Sequence, residues 1–137
     1  MPFLHENLRH IVGNTMPLAV FLALLVGSRA RSWSVVTLIV LGSGSLLWMI
    51  GRQAIHIGAS GLVFGLGSFL ISAGFLERRP LTVLIAVLVG VTYGGSLLGG
   101  LLPTDARVSW DGHLAGAVAG ATVAFMTIHK SGQSDRQ

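Results

Sequence analysis

Ser60 stands in the run Gly58-Ala59-Ser60-Gly61 at the start of one apolar stretch, and His113 stands at the start of a later one. A serine hydroxyl is a weak nucleophile until a base within about 3 Å takes its proton, and imidazole suits that task near neutral pH. The pairing points to hydrolysis, and in a chain this apolar, to hydrolysis inside a bilayer. Glycines around Ser60 leave its hydroxyl uncovered and its backbone N–H groups open to an incoming carbonyl. Asn14 and His10, one turn apart at the start of the first apolar stretch, are donors suited to an oxyanion. Plainer roles remain open on residue types alone: a serine bonded back to a helix carbonyl, a histidine anchored at the interface, and an Asn and His that cap a helix. The absence of Cys removes a cysteine nucleophile, disulfides and thiolate metal ligands.

The elements that must position these residues are membrane spans. Hydrophobic residues make up 52% of the chain and charged residues 10%, with a mean hydropathy of +0.75, a balance that soluble domains rarely show. Runs free of Asp, Glu, Lys and Arg cover 11–28, 32–51, 53–76, 80–104 and 112–129. Each is long enough, or nearly so, to cross roughly 30 Å of hydrocarbon as a helix. The expected fold is all-α: one polytopic transmembrane helical bundle over 1–137, with spans at about 11–28, 33–50, 57–76, 81–102 and 112–129. The apolar runs recur to the end of the chain, so no cleaved signal peptide is expected.

A net charge of +4 is scattered through short connections and forms no nucleic-acid patch. It sets topology instead. Arg29, Arg31, Arg78, Arg79, Lys130 and Arg136 fall on one side, and Arg9, Arg52 and Arg107 on the other. The excess places the N-terminus outside and the C-terminus in the cytoplasm. Ser60 and His113 then lie at the outer ends of spans 3 and 5.

Small residues indicate how the spans meet. Gly61 and Gly65 lie four apart in span 3, as do Gly112, Gly116 and Gly120 in span 5. That spacing lets helix backbones approach closely where lipid supplies no hydrophobic drive. Close contact between spans 3 and 5 would bring Ser60 toward His113. The glycines and serine of Gly94, Gly95, Ser96, Gly99 and Gly100 are expected to end span 4 irregularly, with a turn at Pro103, Thr104 and Asp105.

With these residues in hand, the sequence resembles the rhomboid intramembrane serine proteases. His10-Ile11-Val12-Gly13-Asn14 is similar to their H-x-x-x-N element and Gly58-Ala59-Ser60-Gly61 to their G-x-S-G motif. His113-Leu114-Ala115-Gly116, continuing to Gly120, is similar to their catalytic-histidine helix, as is its approach from Val108. The motifs come in the family's order on separate spans. The first helix of the usual six-helix core, the long outer loop after it and that loop's Trp-Arg element have no counterpart.

The resemblance implies a Ser60–His113 dyad with no acidic third member, so Asp111 is read as a loop residue. It implies an oxyanion hole made by His10, Asn14 and the Ser60 backbone N–H, and an aromatic ring at Phe64 set against the histidine. Gly58, Gly61, Gly116 and Gly120 would support that arrangement. His5, His56 and His129 match no motif position, and no metal or cofactor is implied. The implied activity is cleavage of single-span membrane proteins near the outer end of the helix, where local unwinding exposes the peptide bond. The partners are such substrates and membrane lipid, in a bacterial or archaeal cell membrane, with no oligomeric state specified. Two other readings stand beside it: an inactive rhomboid-like protein that binds transmembrane segments, and a small transporter or channel component. The last calls for charged residues at mid-membrane, and the five runs carry none.

Overall fold

The computed structural model describes residues 3–29, 31–50, 59–103 and 109–134, with side chains over 11–29, 31–49, 59–103 and 109–129. Within them the chain is all helical: α1 (Phe3–Ser28), α2 (Ser32–Ile50), α3 (Ser60–Glu77), α4 (Pro80–Gly100) and α5 (Trp110–Ser134). These form the helical bundle expected from the apolar runs.

α3 is the centre of the bundle. It carries apolar or small residues on every side, and a helix of that kind must be enclosed by others. Its buried residues include Val63, Phe64, Leu66, Phe69, Leu70 and Ala73. α5 lies along α3 more extensively than any other pair of helices, α4 covers a second side, and α1 and α2 complete the enclosure. Phe21 and Leu25 of α1, Val35 and Ile39 of α2, Ile85 and Val89 of α4, and Val123 and Ala124 of α5 close the core.

The outward faces are also apolar. Met16, Val26, Leu41, Trp48, Leu84 and Val91 are all exposed. So broad an apolar exterior is untenable in water and is what contact with lipid tails requires. α1, α2, α3 and α4 are each long and apolar enough to cross a membrane. α5, expected as a fifth span, is not among them by composition, although its 25 residues reach about 37 Å. It is packed against both α2 and α3, and that enclosed position selects Gly and Ala over large apolar side chains.

The α3–α5 seam is made by glycine set against backbone. A Cβ on Gly116 would collide with the Gly61 carbonyl, and one on Gly120 with the Gly65 carbonyl. A Cβ on Gly65 would strike Ile39 of α2 and stand 3.1 Å from the Gly116 carbonyl oxygen. Ser68 Oγ donates across the same seam to the Ala117 carbonyl at 2.7 Å. The four-residue spacings therefore mark an interface, as their sequence pattern indicates.

Two boundaries differ from expectation. α3 starts at Ser60 and not at 57, because Ala59 is the capping residue and its carbonyl accepts the first helical bond from Val63 N–H at 2.9 Å. α4 stays helical through its glycines to Gly100 and then turns at Leu101–Pro103. With no water to satisfy freed backbone groups, even a glycine-rich stretch keeps its helical bonds in a membrane.

At the end of the bundle away from Ser60, the connections are short. Arg78 closes α3 in the left-handed region (φ 54°), donating its N–H to the Gly74 carbonyl, and Pro80 opens α4. Arg29, just past α1, pairs with Glu77 at the end of α3 at 2.7 Å.

Candidate active site

Ser60 is the first residue of α3, so the N–H groups of Ser60, Gly61 and Leu62 have no partner within the helix. They sit at the positive end of the helix dipole, where negative charge is favoured. Gly61 keeps this turn against the start of α5: a Cβ there would stand 3.4 Å from the Gly112 carbonyl oxygen.

His113 lies in the first turn of α5, with its backbone N–H donated to the Ser109 carbonyl at 3.0 Å. Its side chain is 9% exposed and is fixed on two sides. The Phe64 ring stacks on the imidazole with centroids 4.0 Å apart and planes 3° from parallel. His113 Nδ1 lies 2.8 Å from the Gly100 carbonyl oxygen. A carbonyl only accepts, so this contact requires the proton on Nδ1, and in the neutral ring Nε2 then carries the lone pair. Phe64 is one helical turn beyond Ser60, so the stacked imidazole lies on the face of α3 that Ser60 occupies.

Gly100 was not legible as a site residue. A Cβ there would collide with Phe64 and stand 3.1 Å from His113 Nδ1. The glycine run ending α4 was the available signal, and it reads equally well as a helix terminus.

A cavity of about 330 Å³ opens beside Ser60. Ala59, Ser60, Gly61 and Leu62 line it from α3, Val40, Ser43, Gly44 and Leu47 from α2, and Ser109 and Gly112 from the approach to α5. The contribution of α2 carried no recognisable motif.

Asp111, expected in a loop, instead lies in the first turn of α5, 7% exposed and engaged with a partner. Two residues from His113, it points to a different face of the helix, and the nitrogen that a triad carboxylate would hold is bonded to Gly100. Asn14 is half-buried on α1 and likewise engaged. His10 belongs to α1, but its side chain lies outside the described residues, as do Gly58, His56 and the side chain of His5. His129 stacks on Phe125 at 5.2 Å, four turns along α5 from His113.

The Rhomboid domain family model matches residues 1–130. The chain belongs to the rhomboid family. With its apolar helices, this makes it an integral membrane protein. It is 41% identical over 135 residues to uncharacterized proteins of Mycobacterium tuberculosis and Mycobacterium bovis, alignments that cover 91% of this chain and 56% of theirs. An uncharacterized protein of Mycobacterium leprae is 40% identical over 136 residues, covering 91% of this chain and 53% of its own. The chain thus spans a little over half the length of the curated relatives it matches. No solved structure gives a significant match.

Proposed function

We propose that this rhomboid is an intramembrane serine endopeptidase that cleaves single-span membrane proteins near the outer end of their helix. The observation that carries the reading is the fixed imidazole. His113 is stacked on Phe64 and bonded through Nδ1 to a backbone carbonyl, so Nε2 is left as a base on the face of α3 that begins with Ser60.

In this mechanism Nε2 takes the Ser60 hydroxyl proton as Oγ attacks the scissile carbonyl. The Gly100 carbonyl supports the imidazolium that forms, through the Nδ1–H bond, in place of a carboxylate. Negative charge gathers on the substrate oxygen, and the Ser60 N–H at the helix start, with Asn14 and His10, receives it. His113 returns the proton to the leaving amine, and a water activated the same way releases the acyl group from Ser60. The cavity between α2, α3 and α5 gives room beside Ser60 for a substrate side chain or that water. Gly61, Gly116 and Gly120 serve the approach of α3 to α5. The N-terminus lies outside and the C-terminus in the cytoplasm, as the distribution of basic residues favours.

The test is cleavage of a single-span protein by the purified chain in lipid vesicles, alongside labelling by a serine-reactive fluorophosphonate. Both are expected for the native protein and lost in Ser60→Ala with membrane insertion intact. An inserted, folded native protein that neither cleaves nor labels would favour the inactive, segment-binding reading.

A further inference from the structure

We propose that the end of the bundle opposite Ser60 carries a binding site for an anionic phospholipid headgroup, formed by Arg31, Arg78 and Arg79. The reading is independent of catalysis.

The site is assembled by one ion pair. Arg29 and Glu77 meet at 2.7 Å, and the Arg29 guanidinium lies 5.0 Å from the centre of the buried Phe69 ring. This ties the α1–α2 connection to the α3–α4 connection and brings their other basic residues into one neighbourhood. It also silences the local acid, since Glu77 is the sole Asp or Glu between Glu6 and Asp105. Among the described residues, no ion pair engages these three exposed arginines.

Depth and backbone polarity favour an anion at the same place. Trp33, on the first turn of α2, is 81% exposed, and a projecting tryptophan at a span end marks the headgroup level. α2 and α4 both begin here, turning the positive ends of two long helices toward the patch. Guanidinium groups at that depth match a phosphodiester in charge and hydrogen-bonding geometry. A bilayer supplies that group at the correct height and at high local concentration, which selects a lipid over a dissolved phosphate.

Arg78 is the discriminating residue. It occupies the left-handed conformation that closes α3, where glycine has no steric penalty, so Arg78→Gly removes the charge without damaging the turn.

The experiment is thermal unfolding of the full chain in uncharged detergent with added dioleoylphosphatidylglycerol, dioleoylphosphatidylcholine or inorganic phosphate. The native protein is expected to gain several degrees with the phosphatidylglycerol and none with the other two. Arg78→Gly should unfold no earlier than the native protein in detergent alone yet gain less from the anionic lipid, and Arg31→Gln/Arg78→Gly/Arg79→Gln should gain nothing. Arg107→Gln, from the other side of the topology, should keep the full gain. Equal gains from both lipids, a gain from inorganic phosphate matching that from lipid, an undiminished gain in the triple variant, or its loss in Arg107→Gln would each overturn the site.

Discussion

The Gly100 carbonyl oxygen stands 2.8 Å from His113 Nδ1, the place a carboxylate would hold in a three-residue catalytic relay. A backbone carbonyl fixes the tautomer and orientation of the ring without bringing a buried negative charge, whose desolvation is costly in a membrane interior. Its position is set by α4 remaining helical to Gly100, and the close approach of that residue to Phe64 depends on the missing side chain.

Gly100→Ala tests this relationship. The new methyl meets Phe64 and crowds Nδ1, so the imidazole must rotate or withdraw. Turnover is expected to fall by about 10- to 100-fold, the size of a misplaced general base, with KM little changed. Cleavage kinetics in reconstituted vesicles measure it, and native kcat in the variant would remove Gly100 from the positioning of His113.

Phe64 acts on the other face of the same ring. Phe64→Ala removes the stack and opens a cavity in the core, so the unfolding midpoint and kcat should both drop, the stability by about 3–5 kcal/mol. Phe64→Leu keeps much of the apolar volume but not the ring plane, so it should recover part of the midpoint while fluorophosphonate labelling stays slow. A leucine variant that labels at the native rate would show that the ring's plane is not what orients His113.

The α3–α5 seam predicts a purely structural sensitivity. Gly120→Ala places a methyl against the Gly65 carbonyl, a backbone atom that can yield only by separating the helices. Overpacking of this kind costs about 1–3 kcal/mol. Gly94→Ala, which meets nothing within 4 Å, should be neutral. Unfolding midpoints in one detergent compare the two, and similar values would argue against close contact at the seam.

The helical bundle and the seam were legible because lipid imposes strong composition rules: charge-free runs of fixed length and small residues four apart. The stack of Phe64 on His113 was legible because the family resemblance sets an aromatic ring against that histidine. Gly100 was not, since its contribution is a backbone carbonyl and an absent Cβ, neither of which leaves a chemical signature in one sequence. The lining from Val40 to Leu47 was hidden for a related reason, as a helix that offers only shape looks like any other span. Asp111 was misplaced because a charge-free run cannot include it, so the expected span began at Gly112, whereas α5 has already begun at Trp110.

Asn14→Ala separates transition-state stabilisation from a structural role. Asn14 is half-buried on α1 and already engaged, so both an oxyanion donor and a helix anchor are physically open to it. As a donor, it matters mainly when charge develops on the carbonyl oxygen, and its loss should lower kcat by roughly 10- to 1000-fold while KM stays near native. Labelling should slow as well, because the phosphonyl oxygen needs the same stabilisation, yet the unfolding midpoint should hold. His10→Ala should follow the same pattern more mildly, with the Ser60 N–H still in place. An anchor behaves in the opposite way: the midpoint falls, and the protein that remains folded turns over at the native rate. Kinetics and unfolding measured on the same preparation distinguish the two, and native kcat with a lowered midpoint would move Asn14 out of the oxyanion site and into the framework of α1.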